Sequence, residues 1–209
     1  MRYLSAAVAA ITTLGIPTLA LAHHPMGGAT PSNFMEGLLS GFGHPIIGID
    51  HLAFVILVGL AATFLTKRYI APLAFIAGTL AGCLLIANGT VLPYAELVIT
   101  GSVILLGALV MSGKQIPASV YVAIFAVAGV FHGGAYGEAI IGAETTPLVA
   151  YLIGFAMIQY SIAIGAGFAV QKIWKATEAA AAAPRIAAAL AAGVGVAFFV
   201  ENIEGMIFG

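Results

Sequence analysis

The stretch His44-Pro45-Ile46-Ile47-Gly48-Ile49-Asp50-His51, continued by Leu52-Ala53-Phe54-Val55-Ile56-Leu57-Val58-Gly59-Leu60, sets imidazoles, a proline and a carboxylate at the head of an otherwise apolar segment. That segment has the length of a membrane crossing. A central Asp in such a position costs about 2.5–3.5 kcal/mol on insertion scales, so ionisable residues there point to function before packing.

The rest of the chain has the same character. Of its 209 residues 62% are hydrophobic and 7% charged, against about 25% charged in soluble domains. The apolar runs are about twenty residues long, enough for a helix to cross about 30 Å of hydrocarbon, whereas barrel strands alternate over about ten. The expected fold class is therefore all-α: a polytopic membrane protein. A net charge of −1 gives no basis for a nucleic-acid partner or a polybasic membrane-surface segment. The single cysteine, Cys83, lies in an apolar run and has no internal disulfide partner. Its simplest reading is a small buried residue.

Residues 1–22 read as a secretory signal peptide: Arg2, an apolar region from Leu4 to about Leu19, and Ala20-Leu21-Ala22 as a small-x-small cleavage site. Cleavage there leaves a single transmembrane domain, residues 23–209, beginning at His23. An uncleaved seventh helix is the other reading, and both put His23 outside the cytoplasm.

Six spans are expected after the Gly/Pro-containing segment that follows: Gly43–Leu65, Ile70–Asn88, Glu96–Met111, Pro117–Tyr136, Pro147–Gln171 and Arg185–Glu204. Every Lys and Arg after Arg2 falls in alternate loops: Lys67 and Arg68, then Lys114, then Lys172, Lys175 and Arg185. The positive-inside rule makes those loops cytoplasmic and puts both mature ends outside. On that orientation Glu36, His44, Asp50, His51, Asn88, Glu96, His132, Glu138, Glu144, Glu201, Asn202 and Glu204 all lie at or beyond the outer half of the bundle. Only Glu178 is an acid on the other side. Such an outer half is suited to capturing a cation.

A regular helix entered at Pro45 would tolerate the proline in its first turn and leave His44 at the cap. His44 and His51 would then share a face but stand about 10.5 Å apart along the axis, too far to hold one small ion. Asp50 and His51, about 100° apart, need a second helix or a distorted turn to complete a site, and Gly41, Gly43 and Gly48 ease such distortion. Phe131-His132-Gly133-Gly134-Ala135-Tyr136-Gly137-Glu138 ends the fourth span at the same depth. Imidazole and carboxylate suit Ni²⁺, Co²⁺ and Zn²⁺, so a metal site between spans one and four is expected. A free His23-His24 terminus would chelate Cu²⁺ or Ni²⁺ and could pass it to His44. Gln159-Tyr160-Ser161, with Tyr151 above, lines either a polar path or ordinary helix contacts. Gly78 and Gly82, four apart, read as packing positions.

On the His44-to-His51 and Phe131-to-Gly137 motifs and the plan of a signal plus about six spans, the chain resembles the HupE/UreJ membrane proteins, associated with nickel supply to hydrogenase and urease. The resemblance implies roles in Ni²⁺ uptake for His44, Asp50, His51 and His132. The second motif departs from the family pattern, which usually has another histidine where Tyr136 stands and a glutamate one residue after Glu138. Nickel/cobalt permeases carry a similar His…Asp-His group with one fewer intervening residue.

These readings together predict a secondary transporter of the cytoplasmic membrane that admits Ni²⁺ or Co²⁺ and has no enzymatic activity and no prosthetic group. Its expected site residues are His44, Asp50, His51, His132, Glu138, His23 and His24. Its expected partners are the metal ion, the bilayer and metallochaperone or metalloenzyme maturation proteins. No nucleotide-binding loop is present, and an inward divalent cation gains about 4.6 kcal/mol per 100 mV. The alternatives are a metal-binding assembly protein without transport, a haem-binding redox protein, and an intramembrane hydrolase, for which no His-Glu-x-x-His helix or serine elbow is found.

Overall fold

A computed structural model describes residues 29–208. Over them the chain forms seven α-helices: α1 (Phe34–Ile47), α2 (Ile49–Ala62), α3 (Pro72–Ala87), α4 (Ala95–Met111), α5 (Ala118–Gly137), α6 (Thr145–Phe168) and α7 (Ala182–Phe208). A 3-10 turn, Glu138–Ile140, follows α5, a π turn, Ala169–Ile173, prolongs α6, and the described residues contain no strand. The expected signal segment and the His23-His24 pair lie outside the described residues.

Counted with their trailing turns, Ala118–Ile140, Thr145–Ile173 and Ala182–Phe208 are long and apolar enough to cross a membrane. The bent pair α1 and α2 adds a fourth crossing if taken as one span, while α3 and α4, of 16 and 17 residues, are shorter apolar helices. The first expected span is corrected. Instead of one regular helix over Gly43–Leu65 entered at Pro45, the chain is helical from Phe34, carries Pro45 inside α1, breaks at Gly48 and turns by 83° into α2.

The causes of that bend are local. Pro45 has no N–H to return to the preceding turn, and its ring crowds it. The Gly48 N–H reaches back to the His44 carbonyl at a long 3.4 Å, and Gly48 itself is extended, with φ −75° and ψ 101°. At the other end of α1, the Asn33 side chain accepts from the Glu36 N–H at 3.0 Å, while the Glu36 carboxylate accepts from the backbone and hydroxyl of Ser32 at 2.8 Å. Such reciprocal capping fixes a helix start.

Three helix pairs make up most of the packing: α1 with α6, α3 with α5, and α4 with α7. In lipid there is no hydrophobic drive between helices, and small residues let backbones approach. A Cβ on Gly41 would collide with the Tyr151 carbonyl and one on Gly82 with the Val130 carbonyl, and one on Gly107 would come within 2.7 Å of the Ala192 methyl. Between the pairs lies α2, buried almost all round from Ala53 to Ala62 and packed by α4, α6 and α7. Outward-facing Leu105, Val127, Ile153, Met157 and Leu190 give the bundle an apolar exterior suited to lipid.

The central helix thereby acquires two distinct ends. His44, His51, Tyr136 and Tyr151 gather about its N-terminal end. Arg68, Lys114 and Lys172 line cavities at its C-terminal end, beside Gly59, Leu60 and Ala62, and Arg185 packs against Gly113.

Candidate functional site

The break at Gly48 and the end of α5 bring His51 and His132 together, their rings edge-on at 67°. Their Nδ1 atoms are 2.8 Å apart and both rings are buried. A hydroxyl carries one proton, and that of Ser102 on α4 lies 2.6 Å from the Ile99 carbonyl, which can only accept. Ser102 therefore accepts from the Nε2–H of His132 at 3.0 Å. His132 then holds its lone pair on Nδ1 and accepts from the Nδ1–H of His51. These tautomers follow from the network rather than from visible hydrogens. Phe54 and Phe75 wall the His132 ring at centroid distances of 4.4 and 5.8 Å. Gly48 closes the other side: its backbone is one any residue adopts, but a Cβ there would stand 2.7 Å from Cδ2 of His51.

His44, in the last turn of α1, is held by the same logic. The Tyr151 hydroxyl donates to the Tyr136 carbonyl, which can only accept, at 3.0 Å. It therefore accepts from Nδ1–H of His44 at 2.8 Å, which puts the His44 lone pair on Nε2. Tyr136 is wedged between the two motif histidines, its ring 5.0 Å from His44 and 4.4 Å from His51. It is fully buried, and its hydroxyl meets no hydrogen-bond partner among the described residues. Replacing Tyr151 with Phe removes the acceptor of His44 and the donor to Tyr136. Each abandoned group costs about 1–3 kcal/mol, so Tyr151→Phe is expected to be destabilised by about 2 kcal/mol, and any cation binding that rests on His44 should weaken about tenfold. Denaturation and equilibrium dialysis of the detergent-solubilised chain measure both, and wild-type values would mean that Tyr151 does not hold His44.

Asp50 is buried in the first turn of α2, immediately before His51, where the helix N-terminus favours a carboxylate. Glu138 stands exposed in the 3-10 turn, and Glu96, Glu144, Glu201 and Glu204 are exposed as well. Among the described residues no three His, Cys, Asp or Glu side chains converge closely enough to hold a metal ion. The structure assembles an imidazole pair, with Tyr136 and Asp50 next to it, rather than a closed cage. Cys83 packs into the cluster of Tyr136, Tyr151 and Phe155.

Sequence reasoning did not single out Ser102. A serine in an apolar helix carries no mark of which neighbour it will meet. Tyr136 was visible only as a departure from a motif, and its place between two imidazoles depends on the bend at Gly48.

A protein-family model described as HupE / UreJ protein matches residues 11–198. A curated relative, Protein HupE of Rhizobium leguminosarum bv. viciae, is 30% identical over 203 residues, which cover 96% of this chain and 100% of the relative. No solved structure matches the chain.

Proposed function

Because the chain belongs to the HupE/UreJ family, we propose that it is a secondary transporter that admits a divalent transition metal, Ni²⁺ before Co²⁺, across the cytoplasmic membrane. The observation that carries this reading is the 2.8 Å approach of Nδ1 of His51 to Nδ1 of His132. Two neutral imidazoles brought together from different helices in a buried place supply nitrogen ligands that suit a divalent transition metal.

In this reading His51 and His132 are the principal ligands, Asp50 supplies charge next to them, and His44 is the first acceptor. Glu138 and the His23-His24 pair add acceptors ahead of it. Gathering of Arg68, Lys114, Lys172 and Arg185 at the far end supports an orientation with the histidines outside. The membrane potential then drives the cation inward, to metallochaperone or maturation proteins, without an enzymatic step. Binding through both Nδ1 atoms moves the proton between them to Nε2 of His51, and at low pH protonation of the imidazoles competes with the metal, so affinity falls as pH falls.

The test is ⁶³Ni²⁺ uptake by liposomes holding the full chain under an inside-negative potential, with His51→Ala alongside. Uptake above empty liposomes, cut about a hundredfold by the substitution, is the expected result. Metal binding with no uptake at any potential would overturn transport in favour of an assembly role.

A further inference from the structure

Gln159 lies on α6 eight residues after Tyr151, about 12 Å further along the helix, and is fully buried. The atom assigned as its Nε2 meets no partner among the described residues, while the atom assigned as Oε1 is 3.1 Å from the Thr79 hydroxyl of α3. That hydroxyl also lies 2.9 Å from the Ile76 carbonyl. It has one proton to give. Given to Ile76, which can only accept, it leaves two oxygens facing each other with no proton between them, and strands an NH₂ group. Turning the amide over removes the first fault and reduces the second, because nitrogen then donates to Thr79 and oxygen takes the unpartnered place. Amide nitrogen and oxygen are assigned by such networks, and stranded N–H groups are rarer than under-satisfied carbonyls.

We infer that Gln159 presents an unpartnered side-chain carbonyl oxygen to the bundle interior, and that this oxygen is an inner binding site for a partly hydrated divalent cation. The inference rests on the transport reading for the cation's identity. Its placement comes from the packing. A Cβ on Gly133, the residue after His132, would collide with the Thr79 carbonyl, so the helix turn that carries the Thr79–Gln159 pair packs against α5 one residue beyond His132. Four residues beyond Gln159, Ala163 packs against Gly59, and beyond it opens a cavity of about 100 Å³ lined by Thr63, Gln171, Arg68 and Lys172. A cation moving from His51 and His132 toward that cavity gives up nitrogen ligands in a low-dielectric medium, and a carbonyl dipole replaces lost coordination there without adding charge. Packing gives no account of the group, since a leucine would fill a similar volume without burying an unsatisfied dipole.

The test uses the purified full chain and its Gln159→Leu and Gln159→Glu variants. Wild type is expected to bind ⁶³Ni²⁺ in two classes, the tighter removed by His51→Ala and the weaker by Gln159→Leu, while Gln159→Glu, which keeps an oxygen, retains both. Gln159→Leu should also melt about 2–4 °C higher while its vesicle uptake falls about tenfold or more. Wild-type uptake in Gln159→Leu, a single binding class indifferent to it, or loss of both classes together with a lower melting temperature would each overturn the inference. Two classes in a wild type whose vesicles take up nothing would overturn the transport reading and leave the inner site standing.

Discussion

His132→Ala is expected to lower ⁶³Ni²⁺ uptake about a hundredfold or more and to destabilise the chain by about 4 kcal/mol. Removing the ring takes away the acceptor of His51 Nδ1–H at 2.8 Å and the donor to Ser102 at 3.0 Å. Each buried group so affected costs about 1–3 kcal/mol, and a cavity opens between Phe54 and Phe75. Uptake should fall at least as far as for a lost supporting residue, about 10–100-fold, because on the proposed reading a ligand itself is removed. Ser102→Ala separates the two effects, since it leaves both imidazoles in place and loosens only one. Its uptake should lie between those of wild type and His132→Ala. Wild-type uptake by a folded His132→Ala protein would remove His132 from the site.

The second large effect is purely one of space. A Cβ added at Gly133 would run into the Thr79 carbonyl and lie 2.5 Å from Cα of Thr79. Backbone on both sides can yield only by separating α3 from α5. Gly133→Ala should therefore cost about 3 kcal/mol or more, and uptake should fall with it because Gly133 follows His132 directly. Gly165→Ala is the matched control. Nothing lies within 4 Å of its added Cβ, in a helix of the same bundle, and its stability should stay within about 0.5 kcal/mol of wild type. Thermal denaturation in detergent compares the two, and equal losses would contradict the close α3–α5 approach.

Much of this was legible in the chain. Apolar runs and sparse charge specify helices of membrane character, and the ends of α5 and α7 fall within a few residues of the expected limits because Pro117, Gly137 and the alanine run leave little choice. Gly48 was legible as a place where distortion is inexpensive, but not as the end of one helix and the start of the next. A proline with a following glycine reads equally as the first turn of one helix or the last turn of another, and only the packing of α1 along α6 decides. A signal for the earlier start did exist: Asn33 followed by Glu36 has the spacing of a reciprocal cap. The meeting of His51 with His132 followed from placing both near one end. Ser102, Tyr151 and Gln159 acquire their roles from partners fifteen or more residues away, and no local pattern encodes such contacts.

Three short helices bear on the barrier itself. With 14, 16 and 17 residues, α2, α3 and α4 are about 21–26 Å long, while hydrocarbon is about 30 Å thick. The longer α5, α6 and α7, with their trailing turns, are still long enough to cross that thickness, and α2 is enclosed by α4, α6 and α7. On the proposed transport reading an ion at the head of α2 has only about 21 Å of helix to pass. The same potential falling over that shorter insulating path pulls harder on each ångström of it.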